Sequence, residues 1–250
     1  MRRYIHLSVD DFIETFRELT ESEEQIDSIF RHPIFAFFRD MHDQYGAVFH
    51  CYCFGEDKEG FSLAQVTRKY KEEFSRNGDW LKFGFHGLNG DAVYGDNNGT
   101  RVINRDVKQA KEDYDFILGN LVEIVGKEAL DLTPRVHFFA GTKECCLAWK
   151  KAKNGIRGLL AADDERVSYY HNPAQHDSLM ADNVLYDADL ELTFRRTNIR
   201  LEKETDIELL RRKIKSFEGE YPVIFTHERY LPQEDMKQKI EACLQEAKCQ

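Results

Sequence analysis

Two adjacent carboxylates, Asp10 and Asp11, stand where a short apolar segment gives way to a helical one. Neighbours on a strand point to opposite faces. A turn at the strand end would let one carboxylate hold a metal while the other faces a water as general base. Similar residue types recur at other expected strand ends: His86, the pair Arg135 and His137, Asp163-Asp164, and His227-Glu228. Imidazoles and carboxylates ligate divalent metals and carry protons near neutral pH, and a guanidinium can fix a carboxylate in place. Any one of these acidic residues could simply cap the helix that follows it, but chance would scatter the histidines.

The elements that would position these groups alternate along the chain. Apolar runs predict strands over 4–9, 47–54, 81–87, 135–141, 156–162, near 198–202 and over 221–227. Helical periodicity covers 11–45 with an interruption near Pro33, then 63–80, 105–125, a segment capped by Thr142, 207–217 and 233–248. A loop rich in glycine and asparagine, 87–99, can bend close to a ligand. Residues 166–195 break the alternation and read as an inserted β-hairpin. Strand–helix alternation implies a parallel sheet whose closed form is a barrel, with reactive groups at the carboxyl ends of the strands. One domain over 1–250 is expected.

Ser8-Val9-Asp10-Asp11 resembles the first motif of the polysaccharide deacetylase family (the NodB-homology, carbohydrate esterase type), Thr-Phe-Asp-Asp or close to it. The resemblance makes Asp10 the general base and Asp11 a metal ligand. Phe85-His86-Gly87-Leu88-Asn89-Gly90 is similar to the second motif, His-Ser/Thr-x-x-His, in which His86 takes the place of the first of two imidazole ligands. Arg135-Val136-His137-Phe138-Phe139-Ala140-Gly141 resembles the third, whose arginine orients the catalytic aspartate. Ile224-Phe225-Thr226-His227 resembles the last, whose histidine is the general acid. These motifs span nearly the full chain and imply an irregular (β/α)7 barrel.

The departures shape the expected chemistry. The family's second metal histidine falls at Gly90, which has no side chain to offer. Asn89 or Asp91 of the same loop could supply an oxygen, and the expected ligand set is Asp11, His86 and Asp91. His137, in a strand without the family's proline, either lines the barrel mouth or takes the vacant place. Exchanging an imidazole for oxygen would weaken the site and move it from zinc toward harder divalent ions such as Mn, Co or Ni. The resemblance implies a metal-dependent hydrolase that cleaves an amide or ester (N-acetyl) bond of a carbohydrate or small molecule, with Asp10, Arg135 and His227 catalytic. Arg135→Met is then expected to cost activity more than folding. Loss of the metal histidine would favour the alternative, a non-catalytic barrel that binds a carbohydrate or small ligand.

Composition bounds the rest. With 35 basic against 45 acidic residues and a net charge of −10, the field repels a phosphate backbone, and nonspecific nucleic-acid binding is not expected. No apolar run approaches the roughly 20 residues of a membrane helix. The N-terminus turns acidic too early for a signal peptide, so a cytoplasmic protein and a soluble substrate are expected. Cys51, Cys53, Cys145, Cys146, Cys243 and Cys249 have no zinc or redox spacing and read as buried free thiols.

Overall fold

The computed structural model describes residues 4–248, so Cys249 and the first three residues of the N-terminal reading lie outside the described residues. Eight strands, β1 (His6–Phe12), β2 (Phe49–Phe54), β3 (Leu81–Gly87), β4 (Gly158–Ala161), β5 (Val184–Asp187), β6 (Leu192–Arg196), β7 (Ile199–Arg200) and β8 (Val223–His227), alternate with helices. Five of them form a parallel sheet in the order β3-β2-β1-β8-β7. A second sheet, β4-β6-β5, pairs β4 with β6 in parallel and β5 with β6 as an antiparallel hairpin.

The two sheets do not close as one continuous ladder. Single hydrogen bonds join them. On one side, the Asp131 N–H donates to the Phe83 carbonyl (2.8 Å), while Arg157 and Leu160 donate to the carbonyls of Leu132 (2.7 Å) and Pro134 (2.9 Å). On the other side, β6 runs through Thr197 and Asn198 into β7; Thr197 donates to Ala161 (3.1 Å) and Asn198 to Val223 (2.8 Å). Seven chain segments thus follow one another around an irregular α/β barrel.

The fourth segment differs most from its expected strand. Pro134 has no N–H to give a ladder, and from His137 to Phe139 the chain turns through a 3-10 bend. Around the insertion, Asn172 and Gln175 form a capping box and Pro173 occupies the first turn of α6 (Pro173–Asp182), a helix where part of a hairpin was expected. Only β5 and β6 supply the hairpin. Over 63–80 the helix is limited to α3 (Lys71–Arg76). The predicted helix over 105–125 is α4 (Val107–Val125), started by an Asp106–Gln109 capping box and followed by Gly126. The remaining helices are α1 (Glu14–Glu21), α2 (Pro33–Tyr45), α5 (Lys143–Lys150), α7 (Ile207–Lys215) and α8 (Glu234–Lys248). Pro33 begins α2 rather than breaking a longer helix, with His32 accepting from the Ile34 N–H.

The apolar core lies between the sheet and its helices. Phe12, Phe16, Phe35, Phe74 and Phe83 interleave edge to face between the sheet and its helices. Such rings bury large apolar areas and hold the strands in register. Cys51, Cys53, Cys145, Cys146 and Cys243 are buried free thiols in these layers.

Asp131 ties the irregular fourth segment to β2. Its carboxylate accepts from His50 Nδ1 (2.6 Å), the Tyr52 hydroxyl (3.1 Å) and the Thr133 N–H (2.7 Å). Burial opposes its ionised form, but His50, His6 and the Thr133 N–H hold its pKa well below the ordinary carboxylate value. A carboxylate depressed in the folded state stabilises above its unfolded pKa, and that contribution is lost as pH falls through the folded value. Asp131→Asn should therefore lower stability by about 2 kcal/mol at pH 7, with the difference from the parent shrinking below about pH 4. Urea denaturation at both pH values checks this, and coincident midpoints at pH 7 would contradict it.

Candidate metal centre

β1 ends in a bulge. Val9 pairs with Cys51 and Phe12 with Cys53, so β1 has one more residue than β2 across this interval. Asp11 absorbs the extra length in the left-handed region (φ 62°). The kink removes the alternation that would send neighbouring carboxylates to opposite faces. Asp10 and Asp11 consequently line one cavity of about 240 Å³ with His86, Arg135, His137 and His227. Groups more than 200 residues apart in sequence meet at the carboxyl ends of the strands.

Asp10 is buried against Arg135, whose Nη1 donates to Asp10 Oδ1 (2.7 Å) and to the Ser8 hydroxyl (2.9 Å). The Nε and Nη2 of Arg135 reach Thr197 Oγ1 at 3.3 and 3.2 Å. The guanidinium also lies 4.2 Å from the Phe225 ring centroid. Arg135 is only 1% exposed, which changes the expected outcome of Arg135→Met. Removing one partner of a buried ion pair leaves an uncompensated charge and costs roughly 3–5 kcal/mol, so this substitution tests folding as much as activity.

Three ligand atoms converge beside this pair. Asp11 Oδ1 lies 3.2 Å from His86 Nε2 and 3.7 Å from His137 Nδ1. The two nitrogens are 3.2 Å apart. The three residues form a group able to hold a metal ion. The outer nitrogen of His86 is already used: its Nδ1 donates to the Arg135 carbonyl (2.6 Å), leaving the Nε2 lone pair pointing inward. Asp11 Oδ1 is buried without a hydrogen-bond partner. Converging lone pairs around an orphaned carboxylate oxygen fit a cation. With metal–ligand bonds of about 2.0–2.1 Å, the edges of a tetrahedron are about 3.3 Å, close to the observed separations.

The local electrostatics agree. Burial opposes ionisation of Asp11, yet His86, with His227 and His137, holds its pKa well below the ordinary value. Burial likewise opposes a proton on His86, but Asp10 and Asp11 outweigh it and raise its pKa. Burial and neighbouring His86 lower His137 to about 3, leaving a neutral imidazole. Arg229 reaches the other oxygen of Asp11 (3.2 Å).

Asp91 is not among the converging groups. It is exposed, and its N–H donates to Asn89 Oδ1 (3.0 Å) in a local turn. Asn89 itself is occupied with Glu56 (2.7 Å). His137, rather than Asp91, is the third member of the converging group. Two imidazoles and one carboxylate suit zinc, cobalt or nickel.

The other acidic residues acquire distinct tasks. Glu202 accepts from His227 Nδ1 (2.5 Å), turning the opposite nitrogen toward the cavity. Its position at the end of a strand expected over 198–202 was its only signal in the sequence. Glu228 accepts from the N–H groups of Ile13, Glu14 and Thr15 and caps α1. Asp163 and Asp164 pair with Arg166, Arg200 and Lys203.

Protein prepared without chelator should retain about one divalent ion per chain by elemental analysis, and His137→Ala should lose it as readily as Asp11→Ala or His86→Ala. Asp91→Ala should retain it. Loss of the metal in Asp91→Ala with retention in His137→Ala would contradict the assignment.

No family model matches the sequence, and no curated relative does. Solved structures do resemble it in fold. The Xyl-CE4 domain of a multidomain xylanase from the hindgut metagenome of Trinervitermes trinervoides matches with a TM-score of 0.48 and 9% identity, over 98% of this chain and 82% of that one. A family 4 carbohydrate esterase from Streptomyces lividans, in complex with acetate, matches with a TM-score of 0.41 and 12% identity, over 98% and 88%. A CE4 family pseudoenzyme from Bacillus anthracis matches with a TM-score of 0.43 and 7% identity, over 99% and 61%. The chain is similar to structures of this carbohydrate esterase type along nearly its whole length.

Proposed function

We propose that this protein is a metal-dependent hydrolase that removes an acyl group, of the N-acetyl type, from a carbohydrate or small-molecule amide or ester. The observation that carries the reading is the convergence of Asp11 Oδ1, His86 Nε2 and His137 Nδ1, with the first atom orphaned and the His86 ring held by the Arg135 carbonyl. A divalent cation held there would polarise the acyl oxygen and a water as a Lewis acid. Asp10, held through Oδ1 by Arg135, accepts the water proton at Oδ2. His227, backed at Nδ1 by Glu202, delivers a proton from Nε2 to the departing amine or alkoxide. Hydrolysis then yields the carboxylate and the free amine or alcohol. Arg135 links the parts: its side chain aims the base and its carbonyl aims a metal ligand.

A second cavity of about 410 Å³ shares Asp11 and Arg229 with the first and is lined also by Ile13, Ile34, Phe54 and Pro232. An apolar floor beneath polar walls suits the body of a sugar or similar small molecule.

Acetate release from small N-acetylated sugars, measured with added zinc or cobalt, tests the reading. Asp10→Asn and His227→Gln should each lower kcat by about 10²- to 10⁴-fold while the metal stays bound. Metal retention without acetate release from any such substrate would point instead to a barrel that binds its ligand without turnover.

A further inference from the structure

The cavity around the metal-ligand cluster is rich in positive charge. Arg101, Arg135, Arg166, Arg200 and Arg229 line it against the carboxylates of Asp10 and Asp11, in a chain whose net charge is −10. Arg135 is committed to Asp10. Arg166 and Arg200 are held by Asp163 and Asp164, which line a neighbouring groove instead. Arg101 has no carboxylate partner among the described residues. It stacks on Phe138, its guanidinium carbon 3.6 Å from the ring centroid, and Arg166 lies 4.9 Å over the ring of Phe139.

Phe138 and Phe139 both adopt positive φ, 59° and 56°. That conformation costs on the order of 1–3 kcal/mol for a residue other than glycine. Two consecutive strained residues therefore each seat a guanidinium at the wall of one cavity. The Nε of Arg200, on the same wall, is buried without an acceptor. The proton transfers assigned above use none of Arg101, Arg166 and Arg200. A neutral sugar and its acetamide offer acceptors but no counter-charge, whereas a compact oxyanion makes charge-assisted hydrogen bonds to several of these donors together.

We propose that the substrate carries an anionic group, a phosphate or a carboxylate, and that Arg101 and Arg166 on their phenylalanine seats, with Arg200, receive it beside the reacting acyl group. The assignment of this anion to the substrate rests on the hydrolase reading; the anion site itself does not.

Calorimetric titration of the full chain with inorganic phosphate and, separately, with glucuronate provides the test, run once with zinc and once after chelation. At least one anion should bind in both metal states, and the tighter one identifies the group as phosphate or carboxylate. Arg101→Gln and Arg166→Gln should each weaken that binding by about tenfold. Because Arg101 is exposed, its variant decides the matter if Arg166→Gln fails to fold. Binding that needs zinc and ignores Arg101→Gln, or no binding of either anion, overturns the proposal. Anion binding that depends on arginine, in a protein that neither retains metal nor releases acetate, would uphold the anion site and remove the hydrolase reading.

Discussion

The buried ion pair between Arg135 and Asp10 is the interaction on which the site depends. A guanidinium and a carboxylate withdrawn from water need nearly complete hydrogen bonding to persist, and Ser8 and Thr197 supply it from two different strand segments. The pair therefore stitches β1 to the irregular fourth segment and to the turn between β6 and β7. It also fixes chemistry in two directions. The side chain of Arg135 orients Asp10, while its carbonyl sets the tautomer of His86. Two residues further on, the same segment delivers His137. A change at position 135 would disturb Asp10, His86 and the course of the chain toward His137.

The fourth segment brings His137 to Asp11 and His86. The bend that places it uses positive φ at Phe138 and Phe139. The group offers two nitrogens and one oxygen. A regular fourth strand would have continued past the cavity without this turn.

Much of this was legible in the residues. The strand ends carrying Asp10, Asp11, His86 and His227 follow from short apolar runs that stop at polar residues. The helix of 107–125 announces itself through its apolar face and its capping pair. Illegible features were those decided by tertiary contact. Nothing in Phe138-Phe139 signals a left-handed turn, since neither residue favours one. Asp91 and Asn89 looked suitable because they sit beside Gly90, but local Asx geometry and Glu56 hold them away from the cluster. The helix of 173–182 carried readable caps in Asn172, Pro173 and Gln175 that the β-rich residues around it obscured.

The central claim is that His137 joins His86 and Asp11 around one divalent cation. X-ray absorption fine structure at the zinc edge of the loaded protein tests it most directly, because it counts imidazoles in the first coordination shell. Two imidazoles at about 2.0–2.1 Å together with oxygen donors are expected, falling to one in His137→Ala. A shell with a single imidazole, unchanged by His137→Ala, would contradict it.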